Sequence, residues 1–266
     1  MNGEGFCWDA AEYARNSAAQ QEWAHELIEK IGLSGHESVL DLGCGDGKVT
    51  AEIARRVPDG RVLGVDSSED MVRLSRAAFP PSAHLNLRFQ PGDARALDFD
   101  QEFDVVFSNA TLHWVKDHGP VLKGAARSLR PGGRILFQMG GRGNGSEIFD
   151  VAGQMTAAEE WGRYFAGFQF PWGFYASEEY APWCAAAGLR VRRIELLPRT
   201  MLQKGAEGLA GWIRTTWMPY TERVPAGRRE AFVREASERY VQAHPPDAQG
   251  NVAVRMIRLE VDAVRD

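Results

Sequence analysis

The chain has 266 residues, 44% of them hydrophobic and 25% charged, with a formal net charge of -5. That length buries a full core without staples and suits one large domain or one domain with a sizeable insertion, while the acidic balance argues against a nucleic-acid partner, which needs a basic face to neutralise phosphates. Three scattered cysteines, Cys7, Cys44 and Cys184, form no CxxC pair, which argues against a disulfide framework or a zinc site and fits a reducing cytoplasm.

The opening "MNGEGFCWDA" has neither a basic start nor an apolar stretch, so no signal peptide is expected. No apolar run approaches the roughly 18 residues that cross a bilayer, so no membrane partner is expected either. Residues 9–32 read as a helix: Trp23, Leu27, Ile28 and Ile31 fall at helical spacing, and Gly32 is placed to stop it. An alternation then begins. "SVLDLG" (38–43) reads as a strand, "KVTAEIARRV" (48–57) as a helix and "GRVLGVD" (60–66) as a second strand. "SEDMVRLSRAAF" (68–79) reads as a helix capped by Ser68, with acids in its first turn. "LNLRFQPGD" (85–93) and "FDVVFSN" (103–109) are the third and fourth strands. "HGPVLKGAARSLR" (118–130) is a helix ended by Pro131-Gly132-Gly133, and "RILFQMG" (134–140) is the fifth strand.

The remainder is less regular. The spacing predicts a helix over 177–187 and a strand over 189–197, whose Arg190, Arg192 and Arg193 read as a solvated face. A Trp-rich helical segment, "GLAGWIRTTWMPY" (208–220), a helix over 228–244 and a final strand over 251–264 follow. Residues 200–250 read as a helical insertion between two late strands, because no linker sets them off as an independent domain. The α/β alternation predicts a doubly wound, parallel sheet with right-handed crossovers. Ligands of such sheets lie beyond the carboxyl ends of the strands.

Those strand ends carry the chemistry. After the first strand, Gly43, Gly45 and Gly47 spell G-x-G-x-G. A nicotinamide fingerprint needs a third glycine where Lys48 stands, and a phosphate P-loop needs a different spacing. The loop is therefore a close-approach turn without dedicated pyrophosphate geometry. Asp66 ends the second strand, nineteen residues past Gly47, where a carboxylate can accept both hydroxyl hydrogens of a ribose. Asp93 of "PGDA" ends the third strand, placed to accept a bond from an adenine amino group. "SNATLHW" ends the fourth and supplies Asn109, His113 and Trp114. Each element is weak alone; four in order on successive strands make one pocket.

These stretches, "VLDLGCGDG", "GVDSSEDM", "GDA" and "SNATLHW", resemble the motifs of class I S-adenosylmethionine-dependent methyltransferases. Within that superfamily the likeness is to the trans-aconitate methyltransferases over nearly the whole chain, through Tyr13, "NATLHW", "FQM", "GWIRTTW" and "Y…HPPD…G". Juvenile hormone acid methyltransferases share a comparable "LHW" and an early tyrosine with a glutamine seven residues on, here Tyr13 and Gln20. The resemblance implies a single Rossmann-like methyltransferase domain with a seven-stranded, mostly parallel sheet. It implies a helical cap at 9–32, a cofactor-binding core at 36–140, and substrate-side helices and insertion at 141–187 and 200–250.

The implied cofactor is S-adenosylmethionine, leaving as S-adenosylhomocysteine, with no metal. Gly43, Cys44, Gly45 and Gly47 would pass close to its methionine and ribose, and Asp41 would steady the loop or meet the amino group. Asp66 would hold the ribose, Ser67 and Met71 would flank the adenine, and Asp93, with Gly92 and Ala94 beside it, would bond the adenine amino group. Asn109 and Tyr13 would close over the methionine part, with Gln20 and His113 near the sulfonium as the catalytic candidates.

The chain departs from the pattern at "GGRGNGS" (140–146), a strand-end loop expected to border the substrate. Arg142 in that loop and Arg214 in "GWIRTTW" are candidate anchors for a carboxylate, with a solvated surface role as the alternative. Trp212, Trp217 and Tyr220 recur at helical spacing, which points to core packing before a substrate-lining role; Trp114 joins the substrate candidates. No evident His–Asp or Lys–Glu base pair stands near the strand ends, and a carboxylate acceptor, ionised at neutral pH, needs none. The expected activity is thus carboxyl O-methylation of a small molecule. The alternatives are N- or O-methylation of another metabolite or a carrier-bound acyl group, and cofactor binding without catalysis. No (D/N)PP(Y/F) tetrapeptide follows the fourth strand, which argues against nucleobase chemistry.

Overall fold

A computed structural model describes residues 18–266, with side chains described from Trp23 onward. The first helix, α1, is described over Ala18–Ile31. β1 (Ser38–Leu42), β2 (Arg61–Asp66), β3 (Leu87–Pro91), β4 (Phe103–Asn109) and β5 (Leu129–Gly140) form a parallel ladder. α2 (Lys48–Arg56), α3 (Glu69–Ala78) and α4 (Gly119–Ser128) connect these strands. β6 (Leu189–Lys204) and β7 (Asn251–Arg265) complete a seven-stranded sheet of order β3-β2-β1-β4-β5-β7-β6, with β7 antiparallel to β5. This is the doubly wound, mostly parallel sheet that the alternation predicts.

The chain divides into two compact units. One holds Gln20–Arg142, Trp172–Leu197 and Arg258–Asp266; the other holds Gly143–Pro171 and Pro198–Ile257. In the first unit the strand alternation sends side chains to two buried faces. Leu40, Leu42, Val106, Ile135, Phe137 and Val261 pack with Val121, Leu122 and Ala125 of α4 and with Tyr180 of the helix Ser177–Ala186, here α7. Val39, Val105, Phe107 and Leu136 pack with Leu27 and Ile28 of α1 and with Ile53 and Ala54 of α2. Burial on both faces is what near-continuous apolar parallel strands demand.

The second unit holds α5 (Ser146–Ala157), the one-turn α6 (Glu159–Gly162), α8 (Gly205–Thr216), the one-turn α9 (Met218–Thr221) and α10 (Arg229–Ala243). Its core is aromatic. Phe149 stacks on Trp217 at 5.1 Å, Tyr220 meets Phe168 at 4.6 Å, and Phe232 sits between Trp161 and Phe165. Trp212, Trp217 and Tyr220 are all buried, in keeping with the core-packing reading of their spacing.

Several boundaries differ from expectation, each for a local reason. β5 starts at Leu129, before Pro131-Gly132-Gly133, because that triplet sits at an irregularity in the β4–β5 register rather than between helix and strand. The strand expected at 189–197 runs to Lys204. The segment 208–220 splits into α8 and α9, with Pro219 accommodated in the first turn of the second helix. α5 follows directly on the glycines of "GGRGNGS" and begins from Gly145, whose φ of 63° suits glycine. No helix among the described residues is long and apolar enough to cross a membrane.

A buried ionic cluster ties the first unit together. Glu260 on β7 is fully buried and takes Lys30 Nζ of α1 at 2.8 and 2.9 Å, the Arg193 guanidinium of β6, and Gln138 Nε2 of β5 at 3.2 Å. Arg190 and Arg192 pair with Asp266 and Asp262, so the basic alternation of β6 is an ion-paired face.

Candidate active site

The carboxyl end of β1 opens into the glycine loop. Gly43, Gly45 and Gly47 have φ of 76°, 53° and 82°, values that an L side chain rarely adopts. The Gly43 and Cys44 amides donate to Val65 O at 2.7 and 3.1 Å, which folds the loop back over β2. A Cβ at Gly43 would lie 2.0 Å from Thr111 Cγ2, so the first glycine exists to admit Thr111. Thr111 Oγ1 in turn reaches Gly43 O and Asn109 O, each at 3.1 Å, and joins the β4 end to the loop. Lys48, at the place of the absent third glycine, turns to Asp46 at 2.8 Å.

Asp41 lies under the loop, buried, and accepts the Thr50 hydroxyl at 2.6 Å. It therefore braces β1 against the first turn of α2. Burial, partly offset by that hydrogen bond and reinforced by the nearby Asp66 charge, pushes its carboxyl up to about 7. The folded state then holds a proton that the unfolded chain releases from about pH 4 upward. The stability supplied by neutral Asp41 is complete below the unfolded value and is lost as pH rises through about 7. The urea midpoint should fall between pH 5 and 8, and Asp41→Asn, which still accepts from Thr50, should flatten that fall. Asp66 is also raised and leaves a residual slope of the same sign. An identical slope in both proteins would contradict this assignment.

Asp66, half-buried at the β2 end, holds the Gly45 amide on Oδ2 and the Ser68 amide on Oδ1, both at 2.9 Å. Burial raises its carboxyl, and those two amides partly offset the rise. It does not cap α3: Ser68 does, accepting from Met71 N at 3.3 Å. Ser67 is exposed and Met71 is buried beside this strand end. Gly92 donates its amide to Asp66 O at 3.0 Å, and a Cβ there would press on Val65 Cγ1 at 2.8 Å, so the β2 and β3 ends lie close. Asp93 caps the 3-10 turn Ala94–Ala96 and is forked by the Arg95 guanidinium.

Beyond β4, Ala110 sits at φ 55°, a conformation uncommon for a residue with a side chain, and its amide donates to Gln138 O at 2.8 Å. The turn Leu112–Trp114 follows. His118 anchors that turn: its Nε2 meets the Leu112 and Val115 carbonyls at 2.9 and 2.8 Å, and its Nδ1 meets Tyr180 Oη at 2.9 Å. The His113 ring takes the Gly140 amide on Nδ1 at a long 3.5 Å. Burial, with the buried Arg258 and His118 nearby, holds His113 well below the usual histidine range, so it is neutral at pH 7. Trp114 packs edge-on against Trp172 at 5.5 Å.

The structure thus gathers Asp41, Gly43, Cys44, Gly45, Gly47, Asp66, Ser67, Met71, Gly92, Asp93, Ala94 and Asn109 at or beside the carboxyl ends of β1 to β4. His113 and Trp114 lie on the turn just past β4. Trp212, Arg214 and Tyr220 belong to the other unit. Arg142 pairs with Glu179 at 2.6 Å, and Arg214 with Glu207 and Glu230 at 3.0 and 2.9 Å, so both candidate anchors already hold carboxylates. Tyr13 lies outside the described residues; Gln20 is on α1, with its side chain outside them. Sequence reasoning missed Thr50, Thr111 and Arg95. Only Arg95 had a signal, the Asp-x-Arg spacing that lets an arginine fold back on a capping aspartate.

The donor and acceptor set suits S-adenosylmethionine. The Cβ position of Gly45 meets nothing within 4 Å, which leaves the outer side of the loop open to a ligand. Each Asp66 oxygen accepts one backbone amide and keeps a lone pair for a ribose hydroxyl. Among the described residues no group of three His, Cys, Asp or Glu side chains could hold a metal.

Comparison with known proteins agrees with this geometry. Residues 39–133 match the family model described as a methyltransferase domain. The chain is 34% identical over 206 residues to an uncharacterised methyltransferase of Schizosaccharomyces pombe, covering 74% of this chain and 76% of that protein. It is 30% identical over 266 residues to the trans-aconitate 2-methyltransferase of Methylobacterium nodulans, covering 97% and 98%. Among solved structures, the YcgJ protein of Bacillus subtilis has the same fold, with a TM-score of 0.60 at 17% identity over 92% of this chain and 98% of that one.

Proposed function

Because the chain belongs to the S-adenosylmethionine-dependent methyltransferases, we propose that it transfers the methyl group to a carboxylate oxygen of a small organic acid of the trans-aconitate type. The observation that carries the substrate class is the likeness to trans-aconitate 2-methyltransferases over nearly the full length of both chains. When bound, S-adenosylmethionine supplies a methyl group on a sulfonium, which is already an excellent leaving group. The protein's work is then alignment, exclusion of water and placement of donors.

In this reading Asp66 holds the ribose hydroxyls and the glycine loop passes under the ribose and methionine. Asp93 takes the adenine amino group between Ser67, Met71 and Ala94, and Asn109 closes over the methionine end. His113 is neutral, and with Nδ1 accepting from the backbone its Nε2 carries the proton. It therefore acts as a hydrogen-bond donor rather than a base, which suits an acceptor that arrives ionised. Trp114, on the turn just past β4, is the remaining substrate candidate of this unit. Arg142 can serve as an anchor by exchange, because the Glu179 it holds is partly exposed. Exposed pairs are worth only about 0–1 kcal/mol, so a substrate carboxylate displaces them at little cost. With its acidic balance and scattered cysteines, the chain reads as a cytoplasmic enzyme acting on a free metabolite, without nucleic-acid or membrane partners.

A panel of di- and tricarboxylic acids, fatty acids and amines, offered with S-adenosylmethionine, tests the proposal. Methyl incorporation into trans-aconitate and related polycarboxylates is expected. Turnover of amines alone would refute it.

A further inference from the structure

The carboxylate of Asp93 is crowded with donors. Oδ1 takes the Arg95 amide at 2.8 Å and Arg95 Nε at 3.0 Å. Oδ2 takes Nε at 2.9 Å and Nη2 at 2.5 Å. The amide contact is the capping bond of the turn Ala94–Ala96 and fixes the carboxylate by itself. The guanidinium therefore adds occupancy and not position. An adenine 6-amino group can reach a well-oriented lone pair of Asp93 only where Arg95 releases one.

We propose that Arg95 is a specificity-determining competitor at Asp93, exchanging with the adenine 6-amino group and limiting how strongly the site prefers adenine to a purine without that group. This rests on the reading of Asp93 as the adenine acceptor. The exchange is easy because the two side chains are 38% and 58% exposed, and pairs in that setting are weak. Arg95 also lines an open surface depression of about 510 Å³, whose wall carries Asp98 together with Lys123 and Arg127, so a displaced guanidinium has room to swing out into water.

Calorimetry on the full chain tests this with two ligands: S-adenosylhomocysteine and its analogue with hydrogen in place of the 6-amino group. Arg95→Ala should raise the ratio of their affinities by about two- to fivefold, the worth of one exposed ion pair. The gain should come from tighter binding of the natural ligand, with the analogue unchanged. Arg95→Lys, which keeps the charge and loses the fork, should give a smaller rise. An unchanged or lower ratio in Arg95→Ala overturns the inference. Asp93→Ser, which keeps a capping oxygen and withdraws the carboxylate, separates the two layers. A ratio near one there supports the adenine assignment and leaves the Arg95 result to decide. A wild-type ratio there overturns both.

Discussion

Replacing Asp66 by alanine should weaken S-adenosylhomocysteine binding by about 100-fold. A ribose diol donates two hydrogen bonds to an ionised acceptor, and bonds to charged groups contribute about 1.5–3 kcal/mol each. Part of that is offset by desolvating a carboxylate that burial already disfavours. The net, about 3 kcal/mol, is about two decades in affinity. The same carboxylate holds the Gly45 and Ser68 amides, so its loss also slackens the glycine loop against the β2 end. Asp66→Asn keeps one oxygen acceptor and should fall between the two. Calorimetry decides: a loss smaller than threefold in Asp66→Ala would show that the ribose does not sit there.

The second large effect concerns stability. Glu260→Ala removes the shared acceptor of Lys30, Arg193 and Gln138 from a fully buried position. Burial opposes ionisation of Glu260, but the hydrogen bonds from Lys30 and Arg193 outweigh it and hold the carboxyl below its ordinary range. Breaking a buried pair by deleting one partner costs about 3–5 kcal/mol, because the other charges stay behind. Lys30 and Arg193 keep about a third of their side-chain exposure and can rehydrate, which places the expected loss at the lower end of that range. In thermal unfolding this corresponds to a fall of about 6–12 °C for a chain of this size. Glu260→Gln, which still accepts a hydrogen bond, should lose less. A midpoint unchanged in Glu260→Ala would mean that the cluster contributes nothing net.

Much of the sheet was readable because its signals are local. β4 occupies the 103–109 run expected of it, and Ser68 caps α3 as its position before two acids implies. The glycine loop declared itself through residues that only a tight turn requires. What stayed hidden was set at long range. Nothing near Glu260 announces that Lys30, 230 residues away, supplies its counter-charge. Nothing near Gly43 announces that Thr111 fills the space a Cβ would take. β5 starts earlier than expected because Pro131-Gly132-Gly133 has the composition of a turn, while pairing with β4 on both sides of it, at Leu129 and again from Arg134, makes the two flanks one strand. Asp41 and Asp66 were legible as acids at strand ends. Their bracing of the loop needed coordinates, since a carboxylate that binds a ribose and one that caps backbone amides look alike in sequence.

Carboxylate methylation is distinguished from every alternative by the bond that is made. Incubating the protein with trans-aconitate and S-adenosylmethionine labelled with a trideuteriomethyl group, followed by mass spectrometry before and after mild alkali, reads that bond directly. The expected product is a monoester that gains one labelled methyl group and releases it as methanol in alkali. A labelled methyl that survives alkali on the acceptor, or no transfer to any carboxylic acid, would contradict carboxylate methylation.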